Sequence, residues 1–166
     1  EPWFAGTMIA LPMCELMQQA AGKMPIDTEI ETMALDRGIP VAGLETAMEA
    51  LEAFAQMSRE TQIDFLEMSL VTVEQSEEVF STTAVLYSEG RIAEIFELSN
   101  VLAEREIPAR EVEAMGDAML DPLLVQRNRN WTPAILASAG NGPTIVAVGA
   151  LHLGGEDGLL RMLEAE

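Results

Sequence analysis

The chain of 166 residues contains one histidine, His152, so it holds a single imidazole able to change charge near neutral pH. It closes the run Gly149-Ala150-Leu151-His152, just beyond the apolar segment Thr144-Ile145-Val146-Ala147-Val148. An imidazole in such a place can ligate a metal ion or pass a proton as general acid or base. Glu45 ends a second apolar run, Ile39-Pro40-Val41-Ala42-Gly43-Leu44, and offers a carboxylate for the same two kinds of chemistry. Both residues have plainer readings: a histidine that is only packed, and a glutamate that starts the following helix.

Arg127-Asn128-Arg129-Asn130-Trp131 is a third feature. On a helix Arg127 and Trp131 stand four residues apart on one face, so the guanidinium can be held against the indole and aimed at a carboxylate such as Glu45. An Arg fork suits a carboxylate or an oxyanion formed in a reaction. The alternative is an exposed helix pair beside a core tryptophan. The glycine-rich stretch Gly149 to Gly158 invites comparison with a phosphate cradle. It lacks the lysine of a P-loop, and Glu156 and Asp157 would place negative charge where phosphate must sit. Those two acids suit the dipole of a following helix better.

These residues need elements to position them. The runs 39–44 and 144–148 are continuous, apolar and bounded by turn residues, which predicts strands buried on both faces of a parallel sheet. Ligand sites in such sheets lie beyond the carboxyl ends of the strands, where Glu45 and His152 would meet. Two strands do not make a stable buried sheet, so the pattern calls for strand partners outside this sequence. Helices are predicted elsewhere: Asp27 to Leu35, stopping near Gly38; one opened by the pair Thr46 and Glu49; one capped by Ser58, with Ile63, Leu66, Leu70 and Val73 as its apolar stripe; one carrying Val79, Thr83, Leu86 and Tyr87 up to Gly90; and one from Ile92 toward Pro108. Asp121-Pro122 reads as a helix start, with Asp as cap and Pro in the first turn, leading through Arg127 to about Ala137 with a bend near Pro133. The fold class expected is α/β, predominantly helical with a few short, parallel central strands, as a fragment of a larger α/β domain.

Nine basic against 28 acidic residues leave a net charge of −19, a field that repels nucleic acid phosphates and anionic lipid heads. No nucleic-acid partner is expected, and no segment is apolar for long enough to insert in a bilayer. Cys14 is the one cysteine, which excludes an internal disulfide and a cysteine zinc cluster. The 11 methionines are expected to do filling that aromatic residues do elsewhere.

Val148-Gly149-Ala150-Leu151-His152-Leu153-Gly154-Gly155-Glu156-Asp157-Gly158-Leu159-Leu160 resembles the C-terminal signature of the TraB/GumN family, a Gly-x-x-His motif followed by a glycine-rich turn into a helix. Val41-Ala42-Gly43-Leu44-Glu45-Thr46 is similar to that family's Gly-Leu-Glu element, Arg127-Asn128 with Trp131 to its Arg-Asn element, and Glu1-Pro2-Trp3-Phe4 to a Pro-Trp element. The resemblance spans residues 1–166 as the central and C-terminal part of a single domain. The family pattern has two Gly-x-x-His motifs, of which this chain carries one, and this implies that the chain taken alone is inactive.

The resemblance, which extends to TIKI-like and erythromycin-esterase-like proteins, implies a metal-dependent hydrolase, a peptidase in some members, acting on a peptide or small-molecule substrate. By it His152 is a metal ligand or catalytic imidazole, and Glu45 is a ligand or the general base. Arg127 stabilises an oxyanion or orients Glu45, and Asn128 donates a hydrogen bond to substrate or ligand. The metal implied is Mn²⁺, Co²⁺ or Zn²⁺, and the location implied is a bacterial periplasm or the exterior. Two other readings stay open: a binding protein of the same fold that holds a metal or a haem-like ligand without turnover, and a helical interaction module. Oligomerisation is open as well.

Overall fold

The computed structural model describes residues 1–105 and 107–165. Their helices, in chain order, are α1 (Pro2–Ala10), α2 (Met13–Ala20), α3 (Ile26–Asp36), α4 (Ala47–Ala55), α5 (Arg59–Thr72), α6 (Ser76–Ser88), α7 (Ile92–Ala103), α8 (Ala109–Leu120), α9 (Gln126–Asn141) and α10 (Leu159–Glu164). Among the described residues there is no strand, and the α/β expectation is corrected to an all-helical architecture.

Local chemistry explains most of the helix boundaries. At α4 the Thr46 hydroxyl accepts from the Glu49 backbone N–H (3.2 Å) while the Glu49 carboxylate accepts from the Thr46 N–H (2.7 Å), a reciprocal capping box. Ser58 caps α5 by accepting from the Thr61 N–H at 3.0 Å. Helices α3 and α6 stop within two residues of Gly38 and Gly90, as read from the sequence.

Asp121-Pro122 departs from its reading as a helix start. The residues from Ala109 to Asn141 form one helical run through α8 and α9, with a π-type turn at Asp121–Val125 between them. Asp121 itself has helical angles (φ −57°, ψ −57°). Proline has no N–H to give to the preceding turn, and a local widening of the helix absorbs the missing bond without ending the run. Pro133 lies inside α9, which continues past it to Asn141.

Helix α1 docks along α5. Gly6 is buried there, and a Cβ on it would stand 2.8 Å from ring carbons of Phe65, so a side chain at this position would push the two helices apart. Trp3 stacks on Phe54 with centroids 5.2 Å apart. This docking turns Gln62 and Ser69 inward. The stripe expected from periodicity is rotated away from it: Ile63, Leu70 and Val73 are each more than a third exposed, and only Leu66 is half-buried.

The two runs read as strands are backbone without regular structure. Val41 and Val146 are exposed and Ile145 is 87% exposed. A strand exists only where a neighbouring chain takes its N–H and C=O groups, and no backbone hydrogen bond joins these two runs among the described residues. Each run meets the core through a residue at its C-terminal end. Leu44 and Val148 both pack on the cluster of Trp131, Ile135 and Leu159.

Candidate functional site

That shared cluster brings Glu45 and His152 to one place without a sheet. Helix α9 supplies the floor, with Arg127, Asn128 and Trp131 on one side of it. The segment after Leu44 brings Glu45. The 3₁₀ turn Ala150–His152 brings the imidazole, with the His152 N–H bonded to the Gly149 carbonyl at 2.9 Å.

Arg127 and Glu45 form a two-pronged pair, Nη2 to Oε1 at 2.7 Å and Nε to Oε2 at 3.2 Å. The remaining terminal nitrogen of Arg127 donates to the Leu123 carbonyl at 2.9 Å, so three of the five N–H groups of the guanidinium are engaged. Trp131 Nε1 donates to the same Glu45 Oε2 at 3.1 Å, and the guanidinium carbon lies 4.8 Å from the indole centroid. The arrangement expected from the four-residue spacing of Arg127 and Trp131 is therefore present, with Glu45 as its target.

Asn128 is 2% exposed. Its Nδ2 donates to two backbone carbonyls, those of His152 (3.2 Å) and Asp157 (2.8 Å). With the amide nitrogen so used, Oδ1 faces His152 Nδ1 at 2.7 Å and can only accept. The imidazole proton is thereby placed on Nδ1, and Nε2 is left with a bare lone pair. Burial holds the imidazole pKa down to about 4, with the Arg127 charge adding to the effect and Glu45 opposing it. The ring is neutral at physiological pH. Its centroid lies 4.5 Å from that of Trp131, at a tilt of 41°.

The glycine-rich loop serves packing here. Gly158 is buried, and a Cβ on it would fall 2.3 Å from the Gly154 carbonyl oxygen, a contact no side chain can make. The loop therefore folds on itself and delivers the Asp157 carbonyl to Asn128. The Asp157 side chain pairs with Arg129 at 3.3 Å on the surface, one residue ahead of Gly158, the N-cap of α10. Cys14 is a free thiol on α2 with no part in these contacts.

All four expected residues, Glu45, Arg127, Asn128 and His152, thus converge. Sequence reasoning gave Trp131 only a supporting part, yet it touches three of them or their partners: Glu45, Arg127 and His152. Its spacing of four from Arg127 and three from Asn128 on one helix was the available signal.

For a metal ion, the imidazole fits as a donor. A ligating histidine normally gives its other ring N–H to a fixed acceptor, which is the part Asn128 plays. Glu45 fits less well, because Arg127 and Trp131 occupy three of the roughly four lone-pair positions of its carboxylate. Among the described residues no three of His, Cys, Asp and Glu are grouped as a metal shell.

A buried amide that sets the tautomer of a neutral histidine, next to an Arg–Glu pair braced by an indole, defines this as a protein with a built polar site on a helical scaffold. The chain belongs to the TraB/PrgY/gumN family, whose description matches it over residues 1–166. No curated protein and no solved structure matches it. None of the described helices is long and apolar enough to cross a membrane.

Proposed function

We propose that this chain carries the imidazole part of a metal-dependent hydrolase site. The observation behind this reading is the bare Nε2 of His152, left unprotonated by the Asn128 clamp and kept neutral by burial. In this reading His152 is a metal ligand through Nε2. A bound divalent ion such as Mn²⁺, Co²⁺ or Zn²⁺ would acidify a water and polarise the scissile carbonyl of a peptide or small-molecule substrate. Asn128 is a positioning residue, since it acts through His152. Glu45 is spent on Arg127 and Trp131, which argues against its use as the general base; its part is to fix the guanidinium. Arg127 keeps two unengaged N–H groups with which to meet developing negative charge.

The test is a titration of the chain with Mn²⁺, followed by NMR of the imidazole carbon-bound protons. Broadening of the His152 signals that EDTA reverses is the expected result. Sharp His152 signals in the presence of excess Mn²⁺ would remove the ligand role. A peptide-library assay of the family protein then follows hydrolysis with Mn²⁺ and with EDTA, and a His152→Ala variant should be inactive. Activity indifferent to chelation, or retained in that variant, would end the metallohydrolase reading.

A further inference from the structure

Away from this site, α1, α5, α6 and α7 border a pocket of about 340 Å³ that is about half open to solvent. Its walls include Ala10 from α1, Phe65 and Met68 from α5, Val79 and Phe80 from α6, and Leu102 from α7. In a chain of net charge −19, no charged side chain lines it among the described residues. Five hydroxyl side chains also line it; those of Ser76 and Thr83 make no helix-internal bond among the described residues, whereas the other three are turned back to their own helices. Ser69 donates to the Phe65 carbonyl at 2.8 Å, Thr72 to the Met68 carbonyl at 2.9 Å and Ser99 to the Ile95 carbonyl at 3.4 Å. These bonds stay within each helix, so these three groups offer a guest little more than their carbon surface.

The backbone is irregular at the same place. The helical run from Arg59 to Ser88 changes to a 3₁₀ turn at Val73–Gln75, and Thr72, Val73 and Ser76 form the cavity wall there. A 3₁₀ insertion in the middle of a helix is an uncommon device, found often at functional positions. Ligand pockets have this size and this mainly apolar lining.

We infer that this cavity binds a small, uncharged, apolar molecule carrying an alkyl chain or an aromatic ring. An anionic amphiphile is excluded by the missing cationic partner and by the charge of the chain, which would oppose its approach.

The neutral fluorophore N-phenyl-1-naphthylamine tests this with the whole chain. Saturable binding of one probe per chain is expected, and dodecanol should displace it at concentrations at least about tenfold below those of dodecanoate. Two variants fill the space, Ser99→Trp at the exposed lip and Thr83→Phe in the wall. Either one, with helicity by circular dichroism unchanged, should weaken the probe by about tenfold or more. Non-saturable probe uptake, equal competition by the carboxylate, or unaltered binding in a folded Ser99→Trp chain would overturn the proposal. So would a sedimentation mass of two chains whose formation expels the probe, since the cavity would then be part of a contact between copies.

Discussion

Between α9 and α10, Trp131, Ile135 and Leu159 are almost sealed from solvent, whereas α2 and α3 bury no residue and leave Met13, Met17, Ile26 and Met33 at half exposure or more. Both regions are helical, and both carry apolar side chains at helical spacing. What separates them is the polar chemistry around the apolar groups. In the α9–α10 region Trp131, Asn128 and Arg127 each bond to a group far along the chain, and the bonds close around the cluster. Among the described residues, helices α2 and α3 have only short-range side-chain bonds, such as Thr32 to the Thr28 carbonyl. A helix forms from local propensity, but its packing depends on long-range partners.

Substitutions can break this contrast, beginning with the largest expected loss. Trp131→Ala should cost about 4 kcal/mol in urea unfolding, because it opens a cavity under Ile135 and Leu159 and removes one of the three donors to the Glu45 carboxylate. A loss below about 1 kcal/mol would show that the α9–α10 cluster is no firmer than α2. Asn128→Ala should cost about 3 kcal/mol, since one buried carbonyl, one partly buried carbonyl and the imidazole N–H lose their partner. The same variant should let the His152 proton redistribute between Nδ1 and Nε2, visible in ring nitrogen chemical shifts, and unchanged shifts would deny Asn128 its positioning role.

Acid sharpens the comparison next. The folded imidazole titrates at about 4, below the ordinary value of 6.5, so between these pH values the unfolded chain binds a proton that the native chain refuses. Stability from this group is complete above pH 6.5, falls as the pH drops toward 4, and then levels off. The fall should be about 3 kcal/mol, read as the difference between the wild-type chain and His152→Gln over that interval. Parallel curves for the two proteins would mean that His152 is not buried as a neutral ring.

Glu45→Gln comes after this, at about 1.5 kcal/mol, because the pair is half-buried and partly screened. It should also lower the His152 pKa further, since Glu45 opposes the depression. An unmoved or raised imidazole titration would separate the two halves of the site. Smallest of all, Met17→Ala on α2 should change stability by no more than about 0.5 kcal/mol. A loss as large as that at Trp131 would place α2 in a core that its exposure denies.

Rules that act within a few residues were legible before any fold was considered. Thr46 with Glu49, Ser58 as a cap, and the stops near Gly38 and Gly90 follow from bonds and angles spanning a single helical turn. The pairing of Arg127 with Trp131 on one face, and its aim at Glu45, followed from helical spacing and opposite charge. The tertiary structure decided what depends on distant atoms. It left 39–44 and 144–148 without ladder partners, so apolar β-branched runs remained unpaired backbone. It turned α5 so that Gln62 and Ser69 face inward in place of Ile63 and Leu70. It also brought Asn128 to His152 across 24 positions and Trp131 to Glu45 across 86. Propensity and capping are local energies, whereas sheet pairing, helix facing and a histidine tautomer are set by which atoms meet after the chain has closed on itself.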